Sequence, residues 1–261
     1  MRVPEHYFRQ GRPTTKVMVK SWLSCTAGGG GICLCFRCRF RIVLMGGLTA
    51  VWFVENNIVD VPDVSAGWYL DVVRFAESTP GWFRSFAGFF TEAAIVLLLA
   101  FMAACWWRAR GSSARSMAFA LLAPAGVAVA YSVSEVIKTV YEVERPCRTL
   151  GGVVTIAECP PPGDWSFPSN HSVIAGAAAI GILLTWRALG LAALALATGA
   201  AASRVFVGAH YPHDAMVGLT LGALIAVTAI PLLSHPTTAL VDKLRSRGAT
   251  AIRPRGSRGG R

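Results

Sequence analysis

Three short stretches of the chain combine cations, imidazoles and a carboxylate. The first is Lys138 with Arg145-Pro146, the second Pro168-Ser169-Asn170-His171, and the third Ser203-Arg204 with His210 and Asp214. That inventory suits holding a phosphate group and cleaving its ester. A guanidinium can engage two phosphate oxygens at once. Ser169 is a good helix N-cap, and the bare N–H groups of a helix N-terminus bind anions without any side chain. Asp214 follows His210 by four residues across a helix start, where a carboxylate can fix the imidazole tautomer and leave the other ring nitrogen as a nucleophile.

Each stretch alone has a bland reading. Lys138 would snorkel, or pair with Glu135 or Glu142 on its own helix. Ser169 would be a simple cap with His171 in the first turn. Arg204 is harder to dismiss, because it ends an apolar segment and a cation at membrane depth is costly. The neighbouring His213 points elsewhere on its helix and reads as interfacial.

These residues sit at the edges of long apolar runs, which ties the phosphate to a lipid. Of the 261 residues, 54% are hydrophobic and 15% charged, against about 25% charged in soluble domains. The composition therefore points to an integral membrane protein. The net charge of +11 gathers at the ends: residues 1–41 hold eight Lys/Arg and residues 234–261 hold seven. Such flanks suit anionic headgroups and topology. No stacking-aromatic or zinc-finger pattern accompanies them, so nucleic acid is not an expected partner.

Six membrane helices are expected, in an all-α bundle. They cover residues 41–54 (the shortest), 86–107, 117–137, 169–186, 189–207 and 212–233. A bilayer core needs about 20 apolar residues per helix, and several of these runs reach that only when their polar ends count as helix. Residues 1–40 read as a basic, disordered cytoplasmic leader, 41–233 as the membrane domain, and 234–261 as a basic, disordered cytoplasmic tail. Arg108, Arg110, Arg115 and Arg187 lie in connections on the same side as both basic ends. The positive-inside rule puts that side in the cytoplasm. The motif-bearing connections then face outward.

Between the first two expected spans, Val64, Trp68, Val72 and Phe75 recur every three or four residues. This spacing predicts an amphipathic helix at the membrane surface, or an aromatic belt. Thr79-Pro80 marks the next helix start, with Pro at the first helical position. Cys147 and Cys159 share one outward connection and can pair there; the alternative is two free thiols. Cys25, Cys33, Cys35 and Cys38 fit no zinc spacing, so no metal is expected.

Lys-x6-Arg-Pro, Pro-Ser-x-His and Ser-Arg-x5-His-x3-Asp, in this order and spacing, resemble the three-part signature of the type 2 phosphatidic acid phosphatase superfamily. The resemblance covers residues 138–214 and the six-helix plan. It departs at Asn170, where the family usually has Gly. Asn tolerates left-handed backbone angles better than most residues and keeps the amide N–H, so a tuned site is expected.

The resemblance implies roles. His210 attacks phosphorus, Asp214 orients His210, and His171 gives a proton to the leaving oxygen. Lys138, Arg145, Ser169, Asn170 and Arg204 bind the phosphate, and no cofactor is required. It implies a multi-pass enzyme of a bacterial cytoplasmic membrane, with its active site at the extracytoplasmic ends of the helices. The expected substrate is a membrane lipid: a polyprenyl diphosphate of the undecaprenyl or decaprenyl type, or a phosphatidate-like lipid. The alternatives are a phosphotransferase on the same scaffold and a lipid-phosphate-binding protein without activity. The oligomeric state is not legible.

Overall fold

The computed structural model describes residues 63–150 and 153–252, with side chains to residue 247. All belong to the unit spanning 57–261. Seven helices form among these residues and no strand does: α1 (Asp63–Ser78), α2 (Gly81–Arg110), α3 (Ala114–Tyr141), α4 (Pro146–Thr149), α5 (Asn170–Thr185), α6 (Arg187–Phe206) and α7 (Pro212–Ile252). The expected span over 41–54 and the leader lie outside the described residues. The chain is a multi-pass membrane protein: α2, α3, α6 and α7 are each long and apolar enough to cross a bilayer.

Helix boundaries follow local chemistry. Ser113 caps α3 by accepting from the Ser116 N–H, which satisfies one of the orphan donors of a helix start. Pro80 is the N-cap of α2 and not its first helical residue. The last expected helix runs on past residue 233 to Ile252, with Pro231 and Pro236 inside it. The stretch taken as tail thus begins as helix, because neighbouring helices re-satisfy the backbone groups that proline frees.

Helix α5 is the central element. It has 16 residues, about 24 Å, and packs against α2, α3, α6 and α7. Small residues let those helices come close, as in membrane bundles generally. A Cβ on Gly222 would stand 2.0 Å from the Val173 carbonyl oxygen, and one on Gly218 2.6 Å from that of Ser169. Gly218 and Gly222, four apart on α7, are therefore the seat on which the start of α5 rests. Leu98, Val173, Ile182 and Ile230 fill the core around this contact.

Helix α1 carries two faces. Val64, Trp68 and Phe75 are exposed, while Ser65, Tyr69, Val73 and Ala76 are buried. The apolar stripe legible in the sequence is thus the outward one. The buried face braces the turn between α6 and α7. Tyr69 donates from its hydroxyl to the Gly208 carbonyl at 3.0 Å, and its ring packs 5.6 Å from that of Tyr211.

Candidate active site

Lys138 and Arg204 lie in the last turns of α3 and α6. Arg145 precedes α4. Ser169, Asn170 and His171 open α5, while His210 and Asp214 bracket the start of α7. Since α2, α3, α5, α6 and α7 alternate in direction, these ends meet at one end of the bundle. All eight residues singled out in the sequence join a single contact network.

His210 is its buried centre, 2% exposed. Its Nδ1 lies 2.9 Å from the Ser166 carbonyl oxygen, which fixes Nδ1 as the protonated nitrogen. That leaves the Nε2 lone pair, 3.2 Å from Arg145 Nη1. Burial, with the Arg145 charge adding to it, pulls the imidazole down to about 4, and Asp214 resists only in part. A neutral, desolvated nucleophile beside a guanidinium is a geometry for attack on a bound phosphate.

Asp214 differs in detail from the sequence reading. Its Oδ2 lies 3.7 Å from His210 Nδ1, beyond hydrogen-bond range. It accepts instead from the Ser166 hydroxyl and from the Tyr211 N–H at 3.0 Å. The carboxylate therefore holds the imidazole through Ser166, a residue that sequence reasoning missed. A serine two residues before Pro168 offers little signal of that role. His213, read as interfacial, lies with Nε2 3.1 Å from Asp214 Oδ1 and Nδ1 2.7 Å from Ser65 Oγ. It is a close neighbour of the carboxylate without hydrogen-bonding to Oδ1, and its contact with Ser65 ties the start of α7 to α1.

The turn that presents His210 is built by Gly208. Its φ is +82°, and a Cβ there would stand 2.5 Å from Thr155 Cγ2. The Val207 carbonyl accepts from the Ile156 and Ala157 N–H groups. The segment carrying them is stapled by the Cys147–Cys159 disulfide, with Cα atoms 6.0 Å apart.

The cations are buried and each meets a carboxylate. Arg145 donates from Nε to the Asp164 carbonyl and from Nη2 to Asp164 Oδ1, both at 2.9 Å. Lys138 Nζ lies 3.7 Å from the same Asp164 Oδ1 and 4.0 Å from Glu135 Oε1. Burial raises the Asp164 carboxyl, but the Arg145 bond and charge outweigh it and hold the group below its ordinary value. Arg204 Nη1 reaches Thr91 Oγ1 at 3.2 Å and Glu92 Oε1 at 3.3 Å. His171 Nε2 lies 3.2 Å from both Glu92 oxygens. Asp164 and Glu92 were not foreseen, since acids beside a phosphate site run against simple charge complementarity.

Asn170 corrects an expectation. It does not take left-handed angles; Glu142, with φ 47°, is the non-glycine residue that does so among those described. Asn170 is the first residue of α5, where helical angles suit any side chain. Its amide accepts from Ser134 Oγ at 2.7 Å and donates to Glu135 Oε1 at 2.6 Å. It ties α5 to α3. The Ser169 N–H donates to the Asp214 carbonyl at 3.1 Å, joining α5 to α7. The Ser169 hydroxyl does not cap the helix, and with Ser172 Oγ, Arg204 Nε and Asp214 Oδ1 it is buried without a hydrogen-bond partner among the described residues.

Comparison with known proteins agrees with the motifs. The sequence profile of the PAP2 superfamily matches residues 119–235. Decaprenylphosphoryl-5-phosphoribose phosphatase of Mycobacterium tuberculosis is 38% identical over 106 residues, which are 40% of this chain and 56% of that protein. The chain thus spans little more than half of that relative. A PAP2-type phosphatidylglycerolphosphate phosphatase from Bacillus subtilis, known from its crystal structure, superposes with a TM-score of 0.48 at 18% identity, over 78% of this chain and 92% of that one. Undecaprenyl-diphosphatase BcrC of Bacillus subtilis is 32% identical over 142 residues, covering 52% of this chain and 68% of that protein. With that coverage, and with the profile spanning all three motifs, the chain belongs to the PAP2 superfamily.

Proposed function

We propose that the protein is a membrane lipid phosphatase acting through a phosphohistidine, on a polyprenyl diphosphate or a related lipid phosphate. The observation that carries this reading is His210: buried, held at Nδ1 by the Ser166 carbonyl, with Nε2 beside Arg145. The Nε2 lone pair forms a bond to phosphorus as the bond to the leaving oxygen breaks. His171 supplies the proton to that oxygen, which departs on the lipid alcohol or, from a diphosphate, on the lipid monophosphate. Water then cleaves the N–P bond and releases inorganic phosphate. Arg145, Arg204 and Lys138 stabilise charge on the equatorial oxygens, with the Ser169 hydroxyl and the Asn170 N–H. Ser169 Oγ and Arg204 Nε, buried without partners among the described residues, are donors that a phosphate oxygen satisfies.

The named activities of the relatives, on decaprenyl- and undecaprenyl-linked phosphates, favour a polyprenyl substrate. The loop basicity described above favours cytoplasmic termini and an outward site in a bacterial cytoplasmic membrane. The chemistry asks for no metal. The test is phosphate release by the purified protein in detergent with EDTA, from a polyprenyl diphosphate and from phosphatidate, beside His210→Ala. Release that vanishes in the variant supports the reading. An unchanged rate in folded His210→Ala sinks it.

A further inference from the structure

The cradle contains an anion of its own. Glu92, from α2, spans His171 on α5 and Arg204 on α6, at 3.2 and 3.3 Å. Arg204 belongs to the set that would hold a phosphate, and His171 is the proposed acid facing its leaving oxygen. A carboxylate oxygen and a phosphate oxygen accept from the same N–H groups with similar geometry. The two therefore compete for these donors.

Glu92 differs from the other acids at the site in how it is held. Asp164 takes two bonds from Arg145, one of them through its backbone carbonyl, and so is locked in place. The Glu92 side chain is 66% exposed while that of Arg204 is 11% exposed. Thr91 Oγ1, itself buried, also accepts from Arg204 Nη1. Arg204 thus keeps an anchor when the carboxylate swings out. A releasable anion on a cation that stays put behaves as a counter-ion more than as a structural strut.

We propose that Glu92 is a resident counter-anion of the phosphate cradle, which a phosphate group must displace from His171 and Arg204. The inference rests on reading this site as a phosphate cradle. Every phosphate ligand meets the same displacement cost. A lipid substrate offsets it with apolar contacts of its tail, whereas inorganic phosphate has nothing to offset it. Glu92 thereby lowers the affinity for both alike, which leaves the free product, without tail contacts, too weakly held to occupy the cradle.

The test uses the full chain in detergent and inorganic phosphate as the probe, by direct calorimetric titration and by inhibition of turnover. Glu92→Gln keeps the shape and removes the charge. The expected result is phosphate binding at least about tenfold tighter than in the parent, with stronger product inhibition. Glu92→Ala carries the same expectation and serves if the glutamine variant misfolds. Unchanged or weaker phosphate binding, or none in either protein, overturns the proposal, since a structural partner of Arg204 loosens the cradle when removed. Tighter binding in a chain that turns over no lipid phosphate overturns the hydrolase reading and leaves this one standing. Turnover with phosphate affinity unmoved by the variants does the reverse.

Discussion

The two ends of the bundle both carry arginines and use them oppositely. At the end where α2 finishes, Arg108 and Arg110 are exposed and lie over the rings of Trp186 and Trp107, 4.8 and 3.6 Å from their centroids. Arg245, also exposed, donates to the Ala109, Arg110 and Ser112 carbonyls, closing off the end of α2. At the other end Arg145 and Arg204 are 4% and 9% exposed, each tied to a carboxylate. A guanidinium on an aromatic ring beside headgroups is an anchor of modest worth. The same group taken from water must be paired, and it then acts in a low dielectric where its charge counts for more. Residue type is shared by the two ends; desolvation separates their roles.

That contrast can be broken experimentally. Arg204→Lys should have the largest effect, lowering kcat about 10²–10³-fold, because a point charge cannot reproduce a planar fork. Steady-state turnover in detergent reads it, and near-parent turnover would erase the distinction between the ends. Gly208→Ala comes next. It forces a side chain onto φ +82° against Thr155 and should cost about 1–3 kcal/mol of stability. Thermal unfolding, with turnover alongside, measures whether the His210 turn shifts as well.

The burial of His210 makes a third prediction. Its folded value near 4 lies below the ordinary 6.5, so the neutral imidazole persists well into acid. As pH falls from 6.5 towards 4 the unfolded chain takes the proton first. Stability from this group is therefore full above 6.5 and lost through that window. NMR of labelled imidazole should show His210 neutral at pH 6; an imidazolium there would contradict the desolvation argument. The smallest effect belongs to the opposite end: Arg110→Ala should leave turnover unchanged and shift stability by no more than about 1 kcal/mol.

The motif residues were legible because their spacing marks helix ends. Five of the six expected helices correspond to α2, α3, α5, α6 and α7 within a few residues at their starts, and four of these, all but the 16-residue α5, are long and apolar enough to cross a bilayer. The sixth, over 41–54, lies outside the described residues. The shared connection left Cys147 and Cys159 as either a pair or two free thiols, and the structure forms the pair. Asp164, Ser166 and Glu92 were not legible. They lie in no motif, and acids near a phosphate site read as unfavourable until their partners are known. Asn170 was noticed for the wrong property: its value is two side-chain bonds to α3, which no local spacing reveals.

The sequence by itself determined the membrane environment, the helical spans and the inventory of cations and imidazoles, because these depend on local hydropathy and on side-chain chemistry. Tertiary structure decided what the imidazoles and cations face. His210 is oriented by a carbonyl 44 residues away in the chain, and Arg204 is neutralised by a carboxylate 112 residues away. Such pairings depend on how closely α5 seats on the glycines of α7, a packing distance that is a property of the assembled bundle and of no segment alone.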